Sequence, residues 1–273
     1  MEQINKMLTQ QVTKTIPKEQ VRGSLSTKKP EAKKCKECGK LVEPEVNFLL
    51  KKWLSPDVCD KCDREKLTRE KEAIIKKALD IKKARIEKHF SQSRLSKRFM
   101  RRTFDNFKLD NKNKKAYETC VSYANDFSDK MKNGEGLLLV GDFGTGKTHL
   151  AAAILQEVIS QDHTGVFISI PDLITKIRNT WDTEENEWDL ITALTEADLV
   201  VLDDIGAENT KDWVRERLFV IINSRYEKML PTIFTTNCSV KDLKNKLGGR
   251  IESRINEMCK GVMLVGEDYR KNN

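Results

Sequence analysis

Gly141-Asp142-Phe143-Gly144-Thr145-Gly146-Lys147-Thr148 carries the spacing GxxxxGK[ST]. Backbone N–H groups of a glycine-rich turn wrap phosphate oxygens, and a helix opening at the lysine adds the positive end of its dipole. The Lys147 ammonium suits the β- and γ-phosphates of a nucleotide, and the Thr148 hydroxyl suits Mg²⁺. Such a turn needs a strand before it and a helix behind it. GLLLVG at 136–141 and the apolar periodicity after Lys147 supply both.

A second group is Leu199-Val200-Val201-Leu202-Asp203-Asp204. An apolar strand ending in acids delivers them at the carboxyl end of a sheet, where ligands bind in open α/β folds. Asp203 is placed to hold Mg²⁺, and Asp204 to orient or activate an attacking water. The plainer alternative is a pair of strand-end acids capping the next turn. Asn237 closes a further apolar run, PTIFTTN, where its side chain can fix a water near the γ-phosphate or simply form an Asx turn. Arg250 and Arg254, in GGRIESRI, are four apart and share one helical face. They read either as donors to a neighbour's γ-phosphate or as a solvated basic face.

A third group is cysteine. Cys35-Lys-Glu-Cys38 and Cys59-Asp-Lys-Cys62 are two CxxC turns separated by 20 residues. That spacing brings four thiolates to tetrahedral corners around one Zn²⁺, with Gly39 suited to the first tight turn. Four thiolates leave no open coordination position, so the expected zinc is structural. A redox CxxC would need a thioredoxin-like βαβ context, and this stretch has none.

The elements that must position these groups follow from patterning. GLLLVG (136–141), GVFISI (165–170), DLVVLD (198–203), PTIFTTN (231–237) and GVMLVG (261–266) are short apolar runs separated by helical patterns. Alternation of this kind predicts a parallel five-stranded sheet with helices on both faces. Ala116, Cys120, Tyr123, Ala124 and Phe127 mark an amphipathic helix before the first strand. Residues 63–90 lack Gly and Pro and read as one long charged helix. The expected organisation is a flexible segment over 1–32, a zinc module over 33–63, a charged linker helix over 64–97 and the sheet domain over 98–273. Between the cysteine pairs, Leu41, Val42, Val46, Phe48, Leu49, Leu50, Trp53 and Leu54 offer the zinc module a small core.

Charge is unevenly spread over the 273 residues. Residues 1–100 carry 26 Lys/Arg against 14 Asp/Glu, and residues 101–273 carry 24 against 28. The basic third suggests a polyanion or an acidic protein surface as partner, or else a merely solvated helix. No apolar run approaches the ~18 residues that span a bilayer, and the N-terminus MEQINKMLTQ has no secretory h-region. A cytoplasmic, reducing compartment is expected, with no membrane partner.

LLLVGDFGTGKTHLAAAI, the stretch from LVVLDD to IFTTN, and GGRIESRI together resemble the AAA+ ATPases of the DnaC/DnaI replicative helicase-loader family, and also the IstB transposition helpers. The resemblance covers roughly 98–273. It implies ATP as the nucleotide, Lys147 and Thr148 as the Walker A pair, Asp203 and Asp204 as Walker B, and Asn237 as sensor 1. It implies Arg254 as an arginine finger with Arg250 its companion, acting between subunits of an ATP-dependent oligomer. The cysteine pairs resemble the zinc module of the DnaI branch, which contacts the hexameric helicase; IstB-type proteins lack one. Only seven residues follow Gly266, too few for the helical lid of larger AAA+ proteins. Weak hydrolysis, completed in trans by Arg254, is therefore expected. The family grips single-stranded DNA along its central face. By that analogy the segment 171–197 offers Lys176 and Arg178 to phosphates and Trp181 to a base. Trp181 and Trp188 read more simply as packing residues joining two helices. Three readings follow: a helicase loader, an IstB-like transposition helper binding target DNA, or a zinc-dependent nucleic-acid-binding remodeller.

Overall fold

The computed structural model describes residues 29–47, 52–90, 99, 101–181, 183, 186–207 and 211–269. Most of the expected flexible segment, the apolar trio Phe48, Leu49 and Leu50, and the expected end of the linker helix at 91–97 lie outside the described residues. The chain divides into two compact units at Lys76–Lys77.

In the first unit, β1 (Lys33–Lys34) pairs antiparallel with β2 (Leu41–Val42), and β3 (Glu45–Asn47) pairs antiparallel with β4 (Lys52–Leu54). Helix α1 (Asp60–Phe90) begins earlier than the expected linker helix and takes Cys62 into its first turn. Asp60 and Asp63 at its start and Lys88 and His89 at its end complement the helix dipole.

In the second unit the last turns of α1 are not a solvated linker. Ile86, His89 and Phe90 are buried, and Ile86 and Phe90 join the apolar cluster on one face of the sheet. Lys82 reaches Asp198 at 2.6 Å, and Arg85 pairs with Glu196. Helices α2 (Lys114–Asn125) and α3 (Phe127–Asn133) follow, and Gly134 closes α3 in the left-handed conformation. The sheet then alternates as the patterning predicts. Its elements are β5 (Gly136–Gly141), α4 (Lys147–Ser160), β6 (Gly165–Ser169), α5 (Ile170–Asn179), α6 (Glu187–Glu196), β7 (Leu199–Asp203), α7 (Asp212–Glu227), β8 (Thr232–Thr236), α8 (Val240–Leu247), α9 (Gly249–Met258) and β9 (Cys259–Leu264).

The strand order is β6-β7-β8-β5-β9, with every neighbouring pair parallel. Successive strand residues face opposite sides. Leu138, Val166, Ile168, Val200, Leu202 and Phe234 pack under α5 to α9. Leu137, Leu139, Val201, Ile233 and Val262 pack under α2 and α4. Two buried faces explain why the strands read as apolar runs instead of alternating. This is the five-stranded parallel architecture of the AAA+ P-loop fold. Its order puts β8 between the strand that leads into the glycine turn and the strand that ends in Asp203. Among the described residues, no helix is long and apolar enough to cross a membrane.

Candidate active site

The glycine turn links β5 to α4. Gly144 and Gly146 have φ of +74° and +95°, a region that side chains with a Cβ rarely enter. A Cβ on Gly146 would also lie 2.7 Å from Phe107 Cε2, and one on Gly144 would collide with the Asp268 carboxylate. Thr145 Oγ1 donates to the Asp142 carbonyl at 2.9 Å and stiffens the turn. Buried Lys147 donates to the carbonyls of Gly141 at 2.8 Å and Asp142 at 2.7 Å. The ammonium thus lies inside the turn, held by neutral acceptors that phosphate oxygens can replace. Phe143, at the tip, is exposed.

Asp203 is buried, and its carboxylate accepts from Thr148 Oγ1 at 3.0 Å and Thr235 Oγ1 at 2.6 Å. Burial raises the pKa of its carboxyl to about 6 and Asp204 adds like-charge repulsion, while the two hydroxyls and Lys147 pull the other way. Asp204 stands half-buried at φ +60°, and its N–H donates to Thr235 Oγ1 at 2.9 Å. A non-glycine residue at that φ stores local strain, a pattern found at functional turns. Thr148 and Asp203 oxygens converge as a hard, oxygen-rich set, which is the donor chemistry Mg²⁺ requires. Asn237 directly follows β8 and is half-buried, its Oδ1 accepting from Cys238 Sγ at 3.7 Å. Thr236 Oγ1, accepting from Cys238 N at 3.0 Å, closes that turn in place of an Asx turn.

Both arginines lie on α9. Arg250 is exposed, and neither it nor Arg254 contacts the glycine turn, Asp203 or Asp204 of its own chain among the described residues. Lys176 donates to the His89 carbonyl at 3.1 Å and lies 5.9 Å from the Phe90 ring, so it is tied to the end of α1. Arg178 stacks 5.4 Å over Trp213, and Trp181 meets Trp213 edge-on at 5.0 Å. Trp181 is 56% exposed and Trp188 63%, so neither is a core residue, but Trp181, just past the end of α5, does link helices: it packs on Trp213 of α7 and donates to Glu187 of α6.

The four cysteine sulfurs lie within 4.8 Å of one another, with Cys38 and Cys59 at 3.6 Å. Tetrahedral Zn–S bonds of ~2.3 Å set sulfurs about 3.8 Å apart, so the cluster fits zinc. Cys35 sits in the β1–β2 knuckle, where Gly39 at φ +72° donates its N–H back to the Cys35 carbonyl at 3.0 Å. Cys59 N donates to Cys35 Sγ at 3.3 Å. N–H groups of Cys38 and Cys59 aimed at Cys35 bring its thiol down to about 6, and that of Cys62 lowers Cys59, favouring the thiolates a metal needs. Cys62, sharing hydrogen bonds with Cys38 and Cys59, is shifted up.

Sequence reasoning passed over several residues that build this site. Thr235 bridges both acids, and no local feature of the sequence marks it. Tyr269 donates its backbone N–H to the Gly144 carbonyl at 3.4 Å and its hydroxyl to Asp110 at 2.7 Å, while buried Asn113 donates to that hydroxyl at 3.2 Å. With Phe107 against Gly146, both elbows of the turn are braced by chain remote in sequence.

Residues 64–273 match the family described as IstB-like ATP binding protein. The replicative helicase loader DnaI of Bacillus subtilis (strain 168) is 30% identical over 150 residues, which is 50% of this chain and 48% of that protein. The replicative helicase loader DnaC of Escherichia coli (strain K12) is 25% identical over 173 residues, 63% of this chain and 69% of that protein. A crystal structure of the DnaC helicase loader superposes with a TM-score of 0.58 at 30% identity, covering 62% of this chain and 100% of that one. The chain belongs to the IstB-like ATP-binding protein family and carries its AAA+ P-loop fold, with a four-cysteine cluster ahead of it.

Proposed function

We propose that this protein is a Mg²⁺-dependent ATPase that loads a hexameric DnaB-type replicative helicase onto single-stranded DNA. It would act in the cytoplasm, meeting the helicase through its zinc-binding N-terminal unit. The observation that carries the ATPase is the alignment of Thr148, Asp203, Asp204 and Thr235 around one hydroxyl–carboxylate network beside the P-loop. The likeness to chains named DnaI and DnaC supports the loading role.

When bound, Mg²⁺ and ATP supply the Lewis acid and the leaving group. Backbone N–H groups from Gly144 to Thr148 hold phosphate oxygens, with Asp142, Phe143 and Thr145 shaping the loop around them. Lys147 exchanges its loop carbonyls for phosphate oxygens and neutralises charge there. Thr148 and Asp203 would hold the metal, whose positive charge favours an ionised carboxylate there. Asp204 and Asn237 orient the attacking water, and Asp204 takes its proton. Arg254, with Arg250 beside it, reaches the γ-phosphate of ATP held by another copy of this chain. Four thiolates at Cys35, Cys38, Cys59 and Cys62 hold zinc as structure only.

The test is capture of a purified DnaB-type hexamer by the full chain, compared with Cys59→Ser. The loader reading expects ATP-modulated capture that the substitution abolishes. The matched family also names IstB, so a transposition-helper reading stands second. Binding to duplex DNA and the transposase without capture of any helicase would select it.

A further inference from the structure

Arg254 is held in a fixed pose by one face of α7. Its Nε donates to Asn223 Oδ1 and its Nη1 to the Arg250 carbonyl at 3.2 Å. The guanidinium carbon lies 5.0 Å from the Phe219 ring centre and 5.5 Å from that of Tyr226. Phe219, Asn223 and Tyr226 stand at i, i+4 and i+7, so a single helical face presents all three. The cradle is itself braced. Asn223 Nδ2 donates to Glu227 at 2.8 Å, and the Tyr226 hydroxyl donates to Glu257 at 2.7 Å.

The set of partners says what the cradle is for. A guanidinium has five N–H donors in a rigid fork. Two are used here, and among the described residues Nη2 donates to nothing and no carboxylate pairs with the group. Aromatic faces and neutral acceptors order the side chain without a direct carboxylate partner among the described residues. A group that must meet phosphate oxygens needs the charge intact and its rotamer freedom removed beforehand.

We infer that Asn223, Phe219 and Tyr226 are positioning residues that pre-orient Arg254 toward the γ-phosphate of ATP bound by a second copy of this chain. The inference rests on reading Arg254 as an arginine finger. Asn223 sets the rotation of the guanidinium plane, and the two rings set its height above α7. Nη2, which makes no hydrogen bond among the described residues, is then available without a search through rotamers.

The experiment mixes full-length variants with single-stranded DNA present and reads ATP turnover. Lys147→Ala protein has a dead site and an intact finger; Arg254→Ala protein has a live site and none. Together they should recover activity that neither has alone. Asn223→Ala or Phe219→Leu placed on the Lys147→Ala subunit should cut that recovery about tenfold. The same substitutions on the Arg254→Ala subunit should leave it unchanged, because that copy supplies only the nucleotide site. A merely structural role would lower recovery equally from either side, and that result overturns the proposal. Phe219→Tyr, which keeps the ring face, should restore what Phe219→Leu loses and guards against misfolding. If Arg254→Ala alone turns over ATP at the wild-type rate, or if unmodified mixtures recover nothing, the finger reading itself fails and the proposal falls with it. If the finger reading holds while the cradle variants donate normally, only the cradle is wrong.

Discussion

Thr235 Oγ1 donates to Asp203 Oδ1 at 2.6 Å across the β8–β7 boundary, and the same oxygen accepts the Asp204 N–H at 2.9 Å. One hydroxyl therefore fixes the carboxylate assigned to Mg²⁺ and the backbone of the residue assigned to the water. The strand order permits this, since β8 lies between β7 and β5. Thr235→Val keeps the shape and removes the hydroxyl. It leaves the Asp204 N–H unpaired, at a cost of about 1–3 kcal/mol, and frees the Asp203 carboxylate to turn. We expect ATP affinity within a few-fold of wild type and turnover lowered by about 10 to 100-fold, measured as separate Kd and kcat values.

Asp203 also makes stability depend on pH. Its carboxyl is raised from 3.8 to about 6, chiefly by burial. The neutral form is the favoured one in the fold. The destabilisation is therefore fully present above about pH 6 and fades as pH falls toward the unfolded value. Asp203→Asn should stabilise the nucleotide-free protein by about 1–3 kcal/mol at about pH 8 and by almost nothing near pH 4. Thermal unfolding at the two pH values, without Mg²⁺ or nucleotide, measures the difference. Equal gains at both would contradict the assignment of a buried, raised carboxyl.

The cysteine cluster should bind one Zn²⁺ per chain. A small module with so little apolar core draws its folding free energy from the metal. Cys35→Ser removes the thiolate that two backbone N–H groups favour, and should bring zinc content below half an equivalent by elemental analysis. Wild-type protein already below that level would sink the zinc assignment. Residues 77–273, a compact unit with most of the chain's core, should keep their unfolding transition in either case.

What could be read from the sequence was the local part. The P-loop is eight consecutive residues, and Asp203 ends a run of apolar ones, so spacing alone carries them. The five strands are legible because helices cover both faces of the sheet and each strand carries a short apolar run. Thr235, Tyr269 and the Phe219–Asn223–Tyr226 face were not legible. Each meets its partner across tens of residues, and nothing local distinguishes a bridging threonine from an ordinary strand threonine. The start of α1 differs because the second CxxC reads as a turn, whereas Cys62 sits in the first turn of the helix. The far end of α1 reads as a charged linker because its few apolar residues, Ile86 and Phe90, are spread among lysines, yet both are buried. The tryptophans, expected to pack between helices, divide: Trp181 packs on Trp213 while staying exposed, and Trp188 is exposed.

The central claim is that Asp204 works in hydrolysis while Asp203 and Lys147 hold Mg²⁺ and ATP. Asp204→Asn measures it most directly, because the amide keeps the size of the side chain and loses its basicity. The account predicts an ATP Kd within about twofold of wild type and a turnover lowered by about 100-fold or more, with single-stranded DNA present. Hydrolysis at the wild-type rate by a variant that binds ATP normally would contradict it.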